Sequence, residues 1–112
     1  MMTYHKEKGD ACMAAEHVNT VELVGVLHFV KGKQYDENRG GRYYRFSLRQ
    51  DSVDVRGNSR CDYIVVRAFD QELKDWIQQQ QEGTLIRLTG EIRSSVGSGA
   101  MYVLATTLEQ AQ

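Results

Sequence analysis

Five stretches of this 112-residue chain alternate apolar and polar residues at a period of two, and one stretch between the third and the fourth breaks that rhythm. Alternation at two sends successive side chains to opposite faces of a strand, so each of the five reads as a strand with one buried face. Residues 20–30, TVELVGVLHFV, put Val21, Leu23, Gly25, Leu27 and Phe29 on one side. A glycine weakens a strand interior, so Gly25 marks a bulge, a bend or a close approach of another backbone. Residues 42–50, RYYRFSLRQ, set Tyr44, Phe46 and Leu48 against Tyr43, Arg45, Ser47 and Arg49. Residues 61–69, CDYIVVRAF, divide in the same way, with Ile64, Val66 and Ala68 against Tyr63, Val65, Arg67 and Phe69. Residues 84–94 and 100–109 complete the set. The exception is DQELKDWIQQQQEG, where Leu73, Trp76 and Ile77 fall at helical spacing, Asp70 stands as an N-cap and Gly83 follows the end. Trp76 on that stripe reads as core.

Two segments rich in turn residues, 31–41 and 51–60, predict loops between the first three strands. With no proline anywhere, every turn must come from Gly, Asn, Asp or Ser. Three strands, a helix and two strands exclude a doubly wound α/β sheet and a seven-stranded immunoglobulin sandwich. The order fits an all-β, five-stranded Greek-key barrel of the OB type with one short helix between strands three and four. In such barrels the face of strands two and three and the loops joining strands one to two and four to five form the ligand surface. The barrel occupies residues 18–112, preceded by an arm over residues 1–17 that shows no sustained period and reads as frayed.

Composition removes other classes. No apolar run approaches the roughly 18 residues of a membrane span, and the mean hydropathy is −0.51. No signal-peptide core opens the chain, so a cytoplasmic setting is expected. Cys12 and Cys61 form no Cys-x-x-Cys pair and read as free thiols of a reducing compartment, while His5, His17 and His28 are isolated. Asp51, Asp54 and Asp62 near one loop raise the alternative of a metal-dependent nuclease, but no His or Glu is spaced to complete such a site. No cofactor, metal or enzymatic activity is therefore expected.

Three motifs resemble the bacterial and phage single-stranded DNA-binding proteins. Asn19, Val21, Leu23, Gly25 and Leu27 match that family's first-strand pattern Asn-x-Val-x-Leu-x-Gly-x-Leu. Gly83 and Gly90 match its seven-residue glycine step, with Ile86, Leu88 and Ile92 at the apolar positions, and Tyr63 and Phe69 match two DNA-facing aromatics of strand three. The resemblance spans residues 18–109 and implies an OB barrel that coats single-stranded DNA in replication, recombination or repair. It also implies a homo-oligomer, either a tetramer or a dimer. The chain departs from the family in lacking aromatics at residues 49–54 and 94–99, and no acidic tail that would recruit replication proteins is expected. Phage, plasmid and primosomal relatives lack that tail too.

Binding a single strand of any sequence needs π faces for bases and spaced cations for phosphates. The net charge of −1 gives no support for such a role, but residues 31–49 hold six cations against two acids, interleaved with Tyr35, Tyr43 and Tyr44. Tyr44 alternates with the core set. The candidate binding residues are Tyr63, Phe69 and Tyr43 as stackers, with Arg45, Arg49, Arg67, Lys31, Lys33, Arg39, Arg42, Arg87 and Arg93 as phosphate contacts. The competing reading makes the outward aromatics a subunit or partner interface of a protein-interaction or primosome-type assembly module.

Overall fold

The computed structural model describes residues 16–29, 35–38 and 41–111. The arm expected over residues 1–17 lies outside them apart from its last two positions. Six strands and a helix follow one another as β1 (Val21–His28), β2 (Tyr35–Asn38), β3 (Gly41–Val53), β4 (Ser59–Ala68), α1 (Gln71–Gln78), β5 (Leu85–Ser94) and β6 (Met101–Gln110). They form one sheet in the order β1-β5-β6-β4-β3-β2, which closes into a barrel because β1 also pairs with β3. Five of these strands and the helix are the expected OB barrel.

Closure depends on β1 serving two partners. Its residues Val21 to Val26 run antiparallel to β5, and Val26 to His28 run antiparallel to β3. Gly25 stands at the changeover, where an added Cβ would lie 2.9 Å from the Arg49 carbonyl oxygen. Of the three reasons a glycine can persist in a strand, close approach of a second backbone is the one realised here. On the far side, β4 and β6 meet in parallel through Val66↔Val103 and Arg67↔Leu104. Asn19 adds a rung to the β1–β5 ladder: its Nδ2 donates to the Ile92 carbonyl at 2.7 Å and its Oδ1 accepts from the Ile92 N–H at 2.9 Å.

The inward residues of every strand fill the barrel. Leu27, Phe46, Leu48, Val66, Ile86 and Leu88 are fully buried, with Ile77 of α1 among them. Removing such a side chain from water contributes about 1.5–3 kcal/mol. α1 closes one end of the barrel, starting at Asp70, whose carboxylate accepts from the Glu72 N–H at 2.9 Å. Leu73 and Trp76 pack against the core from the same face, as their spacing predicts. Lys74 is also buried, and its Nζ donates to the Arg42 carbonyl at 3.1 Å, tying the helix to the start of β3.

Both expected loops are shorter than the sequence suggests. Within 31–41, Tyr35–Asn38 pairs antiparallel with β3 as the extra strand β2. Within 51–60, the β3–β4 ladder continues to Val53↔Ser59, leaving only residues 54–58 as the turn. A ladder of main-chain hydrogen bonds does not require an apolar face, so a short strand that adds Tyr35 to the core, or an exposed extension of a hairpin, has the composition of a loop.

The tip of that extension is organised by Asp54. Its Oδ1 accepts from the N–H groups of Arg56 and Asn58, each at 2.9 Å, and those bonds hold the carboxyl below the ordinary aspartate range. A depressed carboxyl stabilises the turn above its unfolded value, and that support is lost as the pH falls through the folded value. An NMR titration should show the Arg56 and Asn58 amide signals moving together below the ordinary aspartate range, with the tip loosening. Asp54→Asn should abolish that common titration while leaving barrel signals in place.

Candidate nucleic-acid interface

The outward residues of β3 and β4 share one face of the barrel. In register, Arg49 stands opposite Tyr63, Ser47 opposite Val65 and Arg45 opposite Arg67. Tyr63 and Phe69 are six residues apart, roughly 20 Å along an extended strand. Each anchors a separate aromatic group.

The first group lies where β1 meets β3. Tyr63 is 53% exposed, and the His28 ring meets it edge-on with centroids 4.9 Å apart. His28 is held in turn by Glu82, whose Oε2 lies 3.1 Å from Nδ1 and also accepts from the Phe29 N–H. The isolated histidine of the sequence is thus part of the face. Nothing in its spacing could have shown this, because β1 and β4 come together only through β3. Interaction with the Cys61 side chain, a hydrogen bond first, holds the Tyr63 phenol above its ordinary value. Tyr63 accordingly stays a neutral ring with a donor hydroxyl at physiological pH. Arg49, across from it, forks onto Asp51 with Nε and Nη2 at 3.2 and 3.1 Å from the two carboxylate oxygens.

The second group is a column of four side chains. The Arg67 guanidinium lies 4.4 Å from the centroid of Tyr43 and 4.0 Å from that of Tyr102, and Phe69 meets Tyr43 at 5.1 Å with its plane tilted by 50°. Tyr43 has the outward phase that the sequence predicts, but it is only 4% exposed. Covered by Arg67 and Phe69, it supports the neighbours that reach solvent and is not itself an open stacking surface. Tyr102 was not among the expected residues. Its outward phase follows from Val103 and Ala105 pointing inward, but its place beside Arg67 arises from the parallel β4–β6 pairing, which no local pattern encodes.

The expected cations are distributed unevenly. Arg45 and Arg67 stand directly opposite each other on the central face. Arg42 stacks over Tyr35 at 4.3 Å on the β2–β3 hairpin. Arg93, opposite Tyr102 in the β5–β6 register, donates to Glu91 at 2.8 Å. Arg87 is flanked by Glu22 at 3.3 Å and Glu109 at 3.5 Å, away from the β3–β4 face. Lys31, Lys33 and Arg39 lie outside the described residues. The acids behind the nuclease alternative are separately engaged: Asp51 with Arg49, Asp62 with Arg60 at 3.0 Å, and Asp54 in its turn. Among the described residues, no three His, Cys, Asp or Glu side chains converge as a metal site would require.

No family profile and no curated protein matches the sequence. Solved structures do match in fold. A small single-stranded DNA-binding protein of Streptomyces coelicolor aligns with a TM-score of 0.65 at 12% identity, covering 87% of this chain and 96% of that one. The SSB of Plasmodium falciparum in complex with ssDNA aligns at 0.66 and 16% identity, covering 88% and 98%. The protein PriB of Ralstonia solanacearum aligns at 0.64 and 13% identity, covering 85% and 100%. The OB fold inferred from strand order is the fold these proteins share.

Proposed function

We propose that this protein binds single-stranded DNA without strong sequence preference, as a binding protein and not an enzyme, in replication, recombination or repair. The observation that carries this reading is the outward β3–β4 face, where exposed Tyr63 and partly exposed Phe69 flank the opposed pair Arg45 and Arg67. Stacking contributes about 1–3 kcal/mol per base, and each neutralised phosphate adds a salt-dependent term. Two aromatic groups with arginines between them provide both, in a form that does not depend on base identity. The single-stranded DNA-binding proteins among the structural neighbours support the same reading. A formal charge of −1 implies modest affinity per barrel, which a homo-oligomer would multiply by offering several faces to one strand.

Fluorescence anisotropy with labelled oligo-dT and a matched duplex, at two salt concentrations with and without Mg2+, tests it. The expected result is a preference for the single strand, weakening as salt rises, and no cleavage. No binding to oligo-dT at low salt would overturn the proposal. If Tyr63→Ala or Phe69→Ala then dissociated an oligomer, the outward aromatics would be an assembly interface.

A further inference from the structure

Arg67 differs from four other strand arginines in what it lies against. Arg49, Arg60, Arg87 and Arg93 each lie against a carboxylate, whereas no carboxylate pairs with Arg67 among the described residues. It is instead gripped between the rings of Tyr43 and Tyr102, and its Nε is buried without a hydrogen-bond partner. A guanidinium held by two π faces keeps its charge, and the grip leaves its in-plane N–H groups as donors without an anion.

The second ring of the grip matters because of where it comes from. Tyr43 belongs to β3 and is buried, while Tyr102 belongs to β6, two residues before the Leu104 that pairs with Arg67, and is partly exposed. Arg93 on β5 stands opposite it. Tyr102 therefore combines a partly solvent-facing ring with the Arg67 guanidinium against it, on the strand next to the one that carries Tyr63.

Resting on the single-stranded DNA reading, we infer that the bound strand leaves the β3–β4 face across Arg67 and runs onto β6, with Tyr102 as a further stacking residue and Arg67 as the phosphate anchor between them. The binding path then crosses the parallel β4–β6 pairing.

The decisive measurement is photocrosslinking of the wild-type chain to a halogenated deoxyuridine oligonucleotide, followed by mass spectrometric mapping. A crosslink at Tyr102 is expected alongside those at Tyr63 or Phe69. In parallel, Tyr102→Ala should weaken oligo-dT binding about five- to a hundredfold, and Tyr102→Phe should stay within about twofold of wild type. Arg67→Gln should lower the salt dependence by about one phosphate contact. If wild type binds oligo-dT but gives no crosslink at Tyr102, and Tyr102→Ala binds as wild type does, the β6 path is wrong while the β3–β4 reading stands. If wild type does not bind oligo-dT, the functional reading itself fails. Crosslinking needs no variant, so a Tyr102→Ala chain that failed to fold would still leave the inference exposed to refutation.

Discussion

Replacing Tyr63 and Phe69 together by alanine is expected to weaken oligo-dT binding by about 2–6 kcal/mol, the sum of two stacking contributions of about 1–3 kcal/mol each. The sum applies because the residues sit in separate groups, one against His28 and one against Tyr43, roughly 20 Å apart along β4. The salt dependence should be nearly unchanged, since neither ring neutralises a phosphate, whereas Arg45→Ala should reduce it. Anisotropy titrations of the two single variants, the double variant and Arg45→Ala at several salt concentrations give all four quantities. Tyr63 is exposed, so its truncation should leave the melting temperature close to wild type. Phe69 also covers Tyr43, and a small fall there is expected from lost packing. Unchanged affinity in the double variant would remove the stacking mechanism.

Gly90→Ala should be the most damaging conservative change outside the core, costing about 2–3 kcal/mol and lowering the melting temperature by roughly 10 °C. Gly90 is buried at the register shift between β5 and β6. A Cβ there would fall far inside van der Waals contact with the Leu104 carbonyl oxygen and 3.0 Å from its carbonyl carbon. Backbone cannot rotate away as a side chain can, so β6 would have to move. Leu104 is also the residue that pairs with Arg67, so the same displacement disturbs barrel closure and the arginine grip. Gly97→Ala provides the contrast: its φ of 98° disfavours a side chain, but nothing lies within 4 Å. That change should cost about 1 kcal/mol and leave oligo-dT binding intact. Urea or thermal unfolding of both variants separates the steric cost from the conformational one.

The division of each strand into an inward and an outward face was legible in the sequence, because alternation at a period of two is a local property. Phe46, Leu48, Val66 and Leu27 are buried where that period puts them, and α1 lies where the period changes, capped by the residue expected to cap it. Structure whose stability leaves no trace in hydrophobic patterning is not visible there. β2 and the outer half of the β3–β4 hairpin are held by main-chain hydrogen bonds with few apolar contacts, so their sequences are indistinguishable from loops.

The candidate site follows the same division. Tyr63, Phe69, Arg45 and Arg67 could be assigned to one outward face of β3 and β4 because neighbouring strands of a hairpin share their alternation. That Tyr43 is buried, that His28 joins Tyr63 and that Tyr102 grips Arg67 are consequences of which strands become neighbours across the closed barrel. The kinds of groups on the surface and the side of each strand they occupy depend on one residue and its immediate neighbours, so they can be read along the chain. Which groups meet is a matter of strand assembly. Closing the sheet brings β1 to β3 and β6 to β4, contacts between segments far apart in the chain whose geometry is set by barrel closure and not by any local period.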